Sequence, residues 1–182
     1  MSEGLKFKVT VIGNGAVGKT SLIKKYTQGE FTKEYIATLG AQFTTYSSSV
    51  NDIPVEIIFW DVAGQDNPAF SALRKNFYKG SSGAIIVFSH EDSEHGNRSF
   101  QDIKKWFNDL KKNLGGSLPI ILFGNKIDLV DEGSINTEQV DALVKELNFL
   151  GYYKTSALSG ANVADAFENL TKKLVEVSKY LA

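Results

Sequence analysis

The feature that most constrains the fold of this chain is a glycine-rich segment, GNGAVGKT, at residues 13–20. An apolar, strand-like run at residues 5–13 precedes it, and a pattern typical of a helix follows at residues 20–29. In such a strand–loop–helix unit, glycines let backbone N–H groups curl around phosphate oxygens, and the helix N-terminus favours their negative charge. The segment predicts a nucleotide-phosphate site. The alternative is a glycine-rich turn with a surface lysine.

Two side chains of this segment carry chemistry. Lys19 would reach the β- and γ-phosphates and help to neutralise their charge during catalysis, and the Thr20 hydroxyl would hold Mg²⁺. The residues of this segment that we predict to bind nucleotide are Gly13, Asn14, Gly15, Ala16, Val17, Gly18, Lys19, Thr20 and Ser21.

Strand-like runs alternate with helical patterns along the chain. This alternation indicates βαβ units, and therefore a mostly parallel sheet with helices on both faces. No linker-like segment divides the chain, so we expect one α/β domain over residues 1–182 with ligands at the carboxyl ends of its strands. The strand-like runs are residues 5–13, 41–50, 55–62, 83–89, 118–125 and 152–156. The helical patterns are residues 20–29, 98–112, 136–149 and 162–177.

Composition narrows the function classes. The net charge of −1 gives no reason to expect nucleic acid as a partner. The chain has no cysteine, which excludes disulfides and thiolate metal sites. No apolar run approaches the ~20 residues of a membrane span, and Ser2 stands where myristoylation needs glycine. We expect a cytoplasmic monomer without a stable membrane anchor in this chain, which meets membranes only through partners or through a tail absent from it.

A second motif, FWDVAGQD at residues 59–66, ends a buried strand with a carboxylate, a glycine and an amide. Asp61 would hold Mg²⁺ through water, the Gly64 N–H would approach a γ-phosphate, and Gln65 would orient an attacking water. Alone, DVAG is a common turn. Beside a phosphate loop, it predicts hydrolysis with Gln65 as a catalytic residue.

Two later motifs select the base. In GNKID, Asp128 can accept hydrogen bonds from the guanine N1–H and 2-amino group, which adenine cannot both offer. Asn125 can bond the base and tie loops together, and the Lys126 stem can lie over the ring. In TSA, which contains Ser156, the Ala157 N–H can face the guanine O6; alone, TSA is a turn of small residues.

Taken together, the four motifs resemble those of Ras-superfamily small GTPases, in the same order and over nearly the whole chain. The resemblance implies the G-domain version of the P-loop NTPase fold, an α/β structure with a six-stranded, mostly parallel sheet, and it implies GTP or GDP with Mg²⁺. Within FTKEYIATLG it further implies that Phe31 packs on guanine, Tyr35 covers the phosphates, and Thr38 binds Mg²⁺ and the γ-phosphate. Without the resemblance, Phe31 would be interpreted as a core aromatic and Thr38 as a strand residue.

Three segments, TLGAQF, FWDVAGQ and FYKGSSG, are most similar to the Rab branch, although GAVGKT also resembles Rho proteins. The Rab match implies that Phe43, Trp60 and Phe77 form a surface aromatic triad. Effectors would then bind through switch segments 31–43 and 60–78. An exchange factor and a GTPase-activating protein are further implied partners. The alternative for the three aromatic residues is ordinary packing against the switch helix.

The chain also departs from the Rab pattern. The segment after Gln65 is longer than its Rab counterpart, so the second switch is expected to differ in shape. SHEDSEHGNRSF is a longer, polar insert, and we expect His90 and His95 within it to lie in a surface loop without a metal. Leu158 replaces the usual lysine after Ser-Ala, which questions the support of the base loop.

The motifs predict a GTP-binding, GTP-hydrolysing molecular switch in membrane traffic or signalling. One alternative is a nucleotide-binding scaffold with negligible hydrolysis. Gln65 and Gly15 argue against it, because Gln65 provides the catalytic amide and Gly15 has no side chain that would crowd the catalytic position. The other is a P-loop ATPase or kinase, against which Asp128 argues. The chain has two arginines, Arg74 and Arg98, and neither lies in the phosphate loop, so intrinsic turnover is expected to be slow.

Overall fold

A computed structural model describes residues 4–32, 37–65, 68–114 and 116–181. Its six-stranded sheet has the strand order β2-β3-β1-β4-β5-β6. β2 is antiparallel to β3, and the other neighbouring pairs are parallel, which confirms the predicted fold class. The strands are β1 (Leu5–Ile12), β2 (Ala41–Val50), β3 (Ile53–Val62), β4 (Gly83–Ser89), β5 (Ile120–Asn125) and β6 (Tyr152–Lys154).

Six α-helices flank the sheet in the described residues. They are α1 (Lys19–Gln28), α2 (Pro68–Tyr78), α3 (Glu94–Gln101), α4 (Ile103–Leu114), α5 (Thr137–Glu146) and α6 (Val163–Leu181). α1 ends at Gly29, whose positive φ of 72° suits a glycine and whose N–H bonds the Lys25 carbonyl.

The single helix predicted over residues 98–112 is wrong, because the structure divides it into α3 and α4 at Asp102. α3 also begins inside the polar insert that was expected to be a loop. Ser93 caps its N-terminus by accepting a hydrogen bond from the Gly96 N–H. The Asp102 N–H closes α3 on the Arg98 carbonyl.

Apolar side chains form a core on each face of the sheet. On one face, α1 and α6 contribute residues such as Leu22 and Phe167. On the other face, α2, α4 and α5 contribute residues such as Tyr78, Leu110 and Val140. Every residue of β4 is buried, as expected for a parallel strand with helices on both sides.

This topology brings the carboxyl ends of the motif-bearing strands to one edge of the sheet. β1 leads into the glycine-rich segment, β3 ends beside Asp61, and β5 ends at Asn125. Side chains from distant parts of the chain can therefore surround one ligand. Among the described residues, no helix is both long and apolar enough to cross a bilayer.

Candidate nucleotide-binding site

Lys19 stabilises the phosphate loop, residues 13–20, through hydrogen bonds to the backbone of the loop. Lys19 Nζ donates to the carbonyls of Gly13 (2.9 Å) and Asn14 (2.8 Å). Burial lowers the pKa of Lys19 to about 8, and the Asp61 carboxylate opposes that shift. Gly18 has a φ of 100°, and a Cβ there would overlap the Asn125 amide. The loop therefore depends on glycine at that position.

Three oxygen-bearing side chains meet beside the loop. The Thr20 hydroxyl donates to Asp61 Oδ2, and the Thr20 and Thr38 hydroxyls lie 3.2 Å apart. Asp61 is only 3% exposed, and its Oδ1 is a buried atom without a hydrogen-bond partner among the described residues. Burial raises the Asp61 pKa, while the Thr20 hydroxyl and Lys19 oppose that shift. A buried carboxylate oxygen without a partner, next to two hydroxyls, suits a hard divalent cation such as Mg²⁺.

The second motif lies against the phosphate loop. The Gly15 N–H donates to the Gly64 carbonyl over 3.2 Å. A Cβ on Gly64 would overlap the backbone of residues 13–15, so only glycine allows this approach. Gln65 is half-buried and lines the same cavity.

Asn125 ties the base-binding segments together. It is 1% exposed, and its Nδ2 donates to the Val17 carbonyl over 2.9 Å. Its Oδ1 accepts from the Thr155 hydroxyl (3.3 Å) and the Ala157 N–H (3.2 Å). The Ala157 N–H, which was expected to face guanine, is thus bonded to Asn125, because the segment after β6 is buried against the end of β5.

Asp128 and Lys126 lie at the mouth of this region. Asp128 is exposed, and its Oδ1 accepts from the Ser156 hydroxyl over 2.5 Å. Lys126 Nζ lies 3.1 Å from Glu91 Oε2, so its head group is paired while its stem lines the cavity.

The structure brings most of the predicted residues around one cavity of about 510 Å³. The predicted residues that line it are Gly15, Ala16, Gly18, Lys19, Thr20, Ser21, Phe31, Thr38, Gly64, Gln65, Asn125, Lys126, Asp128 and Ala157. The predicted residues outside the lining are Gly13, Asn14, Val17, Asp61 and Ser156. Tyr35 lies outside the described residues. Phe31 satisfies both interpretations, because it packs against the core and also lines the cavity.

Sequence reasoning missed five residues that line the cavity, Lys24, Thr32, Ala37, Gln42 and Leu129, and it noted Leu158 only as a departure from the family pattern. Leu129 and Leu158 directly follow base-recognition residues and are exposed apolar side chains. Their position next to those motifs was the available signal. Leu158 therefore contributes an apolar wall to the cavity at the position where the family usually has a lysine.

The aromatic triad is contiguous on the surface. Phe43 is 71% exposed, and its ring centroid lies 5.9 Å from that of Trp60, which in turn lies 6.3 Å from Phe77. Lys8 Nζ lies 3.9 Å from the centre of the Trp60 ring, on the same surface. The three contiguous rings are compatible with an exposed binding patch and with ordinary packing against α2. The role of the triad in effector binding therefore stays a prediction.

The prediction that His90 and His95 lie in a surface loop is wrong for His95, which is helical, and only partly right for His90, which lies in the connection after β4 but is half-buried. His90 follows β4, is half-buried against Phe88, and its Nε2 bonds the Tyr152 hydroxyl. Burial, helped by the charge of Lys154, lowers the His90 pKa to about 4. His95 lies on α3 and its Nε2 donates to the Gly15 carbonyl over 2.7 Å. Long-range partners, rather than local polarity, decide both positions.

Comparisons with known proteins agree with this geometry. A model of the Ras family matches residues 8–176. The Ras-related protein Rab-21 of Mus musculus is 34% identical over 173 residues, which cover 95% of this chain and 75% of that protein. Its Homo sapiens counterpart is 34% identical, with 95% and 74% covered. The Ras-related protein Rab-13 of Bos taurus is 31% identical over 169 residues, with 93% and 80% covered.

These matches confirm the Ras-superfamily resemblance and its Rab branch. Members of these families generally bind GTP or GDP with Mg²⁺ and interact with effectors, exchange factors and activating proteins. Nothing in the matches favours a scaffold without hydrolysis. The chain belongs to the Ras family, is closest in type to its Rab branch, and is a GTP-binding and GTP-hydrolysing molecular switch.

Proposed function

We propose that the 510 Å³ cavity binds GTP, with guanine at one end and the γ-phosphate at the other, where the bond to the γ-phosphate is hydrolysed. The observation that carries the proposal is the assembly of all four motifs around this one cavity. Its base end has the carboxylate of Asp128, and its phosphate end has Lys19, Thr20 and Gln65.

Asp128 selects the base. Its carboxylate accepts two hydrogen bonds from guanine, and the Ser156 hydroxyl fixes its orientation from behind. Because Asp128 is exposed, a wrong base is penalised only when it covers this carboxylate without pairing with it. Phe31, Lys126 and Leu158 provide the apolar walls around the ring.

Four side chains bind the phosphates directly or through Mg²⁺: Lys19, Thr20, Thr38 and Asp61. Lys19 Nζ uses two of its three N–H donors on the Gly13 and Asn14 carbonyls, so the third can donate to a phosphate oxygen when nucleotide binds. Thr20, Thr38 and Asp61 would hold Mg²⁺, which supplies charge neutralisation to the phosphate oxygens. The Gly64 carbonyl accepts from the Gly15 N–H, and the Gly64 N–H would donate to the γ-phosphate.

Gln65 orients the attacking water. Its amide oxygen accepts a hydrogen bond from the water and its NH₂ group donates to the phosphoryl oxygens, so that water attacks phosphorus as the bond to GDP breaks. The products are GDP and inorganic phosphate.

No arginine of the described chain assists Gln65. Arg74 is 4% exposed and faces Asp109, and Arg98 pairs with Asp102. Intrinsic turnover should then be on the order of 10⁻⁴–10⁻² s⁻¹, and a GTPase-activating protein should supply the missing charge.

The switch segments carry the state of the cavity to partners. Thr38 belongs to the first segment and Gln65 to the second, and both line the cavity. The triad of Phe43, Trp60 and Phe77 lies next to them and offers aromatic anchors to effectors. We propose a role in membrane traffic because the relatives are Rab proteins, with the protein acting as a cytoplasmic monomer that meets membranes through partners.

Single-turnover hydrolysis after a nucleotide-binding panel tests the proposal. Wild type should bind GTP and GDP far more tightly than ATP and release phosphate slowly. Gln65→Leu should keep GTP affinity and slow phosphate release. Equal rates for wild type and Gln65→Leu would remove Gln65 from the mechanism. Tight GTP binding with no phosphate release would favour the scaffold.

A further inference from the structure

The side chain of Asn14 does not line the cavity, although the residue belongs to the phosphate loop. Both of its polar atoms are bonded to the region where α3 meets α4. Trp106 Nε1 donates to Asn14 Oδ1 over 2.6 Å, and Asn14 Nδ2 donates to Asp102 Oδ2 over 2.8 Å. An amide held by one donor and one acceptor has a defined orientation, because either bond would be lost if the amide rotated.

The backbone of the same residue contacts the catalytic lysine. The Asn14 carbonyl accepts from Lys19 Nζ over 2.8 Å. A side chain that fixes Asn14 therefore also fixes the neighbourhood of Lys19. Trp106 is 3% exposed, so the indole that holds Asn14 is itself held by the core.

The other side of the Trp106 ring faces the second switch. The Arg74 guanidinium, from α2, lies 4.9 Å from the ring centre. Arg74 Nη1 is 3.4 Å from Asp109 Oδ2, which also accepts from the Tyr78 hydroxyl at 2.8 Å. Arg74 Nε is buried without a hydrogen-bond partner in the described part of the chain. A buried cation with a long ion pair depends strongly on the aromatic face beneath it.

We propose that Asn14 is a positioning residue for GTP hydrolysis and that its hydrogen bonds to Trp106 and Asp102 fix its side chain. Through its contact with the Trp106 ring, Arg74 makes these hydrogen bonds depend on the position of α2. The inference rests on the proposed role of Lys19. Asn14 acts through the phosphate loop and Lys19, so its loss should disturb the transition state more than the binding of the base.

The first test compares Asn14→Ala and Trp106→Phe with wild type in single-turnover GTP hydrolysis and in GDP binding. Trp106→Phe keeps a ring beneath Arg74 and removes the N–H donor. Both variants should hydrolyse GTP about tenfold more slowly, because small misplacements of charged groups are costly in the transition state. Their GDP dissociation constants should stay within about threefold of wild type. Asn97→Ala, an exposed asparagine on α3, is the matched control and should behave like wild type.

An exchange of donor and acceptor separates positioning from general damage. Asn14→Asp alone places two carboxylates together at Asp102 and should slow hydrolysis. Adding Asp102→Asn restores the hydrogen bond in the opposite direction and should recover most of the rate. A double variant that remains as slow as Asn14→Asp would contradict the proposed hold.

A double-mutant cycle tests the link to α2. Arg74→Met should slow hydrolysis in the wild-type background and have little further effect when Asn14→Ala is present. Additive effects would overturn the link. Circular dichroism of each GDP-loaded variant should match wild type. If Arg74→Met fails to fold, Arg74→Lys, which keeps the charge and loses the planar guanidinium, takes its place in the cycle.

Lys19→Ala distinguishes this inference from the function beneath it. If Lys19→Ala loses hydrolysis while Asn14→Ala keeps the wild-type rate, Asn14 is not a positioning residue and the proposed function stands. If both variants keep the wild-type rate, the proposed role of Lys19 fails as well.

Discussion

Replacing Asn125 with alanine should weaken nucleotide binding more than its distance from the phosphates suggests. The side chain is 1% exposed and joins the phosphate loop to the segment that follows β6. It donates to the Val17 carbonyl and accepts from the Thr155 hydroxyl and the Ala157 N–H. Truncation removes all three hydrogen bonds and leaves the Val17 carbonyl and the Ala157 N–H without a partner.

The expected size follows from these three bonds. Each contributes about 1 kcal/mol net, and a buried group left without a partner costs about 1–3 kcal/mol. Without nucleotide, the loops can separate slightly and let water replace the lost partners. With nucleotide bound, the same groups are sealed. Most of the cost therefore falls on the bound state, and we expect about 3 kcal/mol, or roughly 100-fold in Kd.

The assay is displacement of a fluorescent GDP analogue at fixed Mg²⁺, with the thermal unfolding of each protein measured alongside. Asn136→Ala is the control, because Asn136 caps α5 by accepting from the Gln139 N–H and lies away from the phosphate loop. It should cost about 1 kcal/mol of stability and leave the GDP affinity unchanged. If Asn125→Ala bound GDP within about threefold of wild type, the argument that Asn125 joins the two segments would fail.

Three further predictions concern other residues. Asp128→Asn should weaken GTP and gain xanthosine nucleotide, measured by competition, since the donor–acceptor pattern inverts; wild type that bound ATP within about tenfold of GTP would contradict the assignment. Trp60→Ala should lose GTP-dependent partners in a pull-down and keep GDP binding, whereas lost circular dichroism would favour core packing. His90→Gln should flatten the acid dependence of the Tm: the His90 pKa is lowered from 6.5 to about 4, so in wild type the unfolded chain binds the extra proton as pH falls through that window, and folding weakens. After discounting for partial exposure we expect about 1 kcal/mol, or about 2–4 °C between pH 7 and pH 5; parallel curves for the two proteins would refute it.

The strands and motifs could be predicted because their signals are local. An apolar run that ends in glycine or aspartate marks a strand end wherever it occurs, and the phosphate loop repeats a fixed spacing. Phe31 and Thr38 had no such signal and came only from the resemblance to small GTPases.

α3 could not be predicted for a physical reason. Its fully buried residues are the small Gly96 and Ser99, and Phe100, whose ring packs against Phe88 of β4, is its one large apolar side chain, so the helix lacks an apolar stripe. A Cβ on Gly96 would overlap the Glu91 carbonyl, which shows how closely the helix packs there. The bond from Trp106 to Asn14 joins residues 92 positions apart and has no local pattern at all.

The hydrogen bond between Asn125 and Val17 joins residues 108 positions apart, and the cavity is closed by similarly distant segments. A nucleotide in that cavity acts as a non-covalent cross-link for the whole domain. Ligand at a thousand times its Kd adds about 4 kcal/mol to the free energy of unfolding, against a typical total of about 5–15 kcal/mol. A partner that empties the cavity thus removes a large part of the stability of the domain, and it has to replace that support with its own contacts until new nucleotide binds.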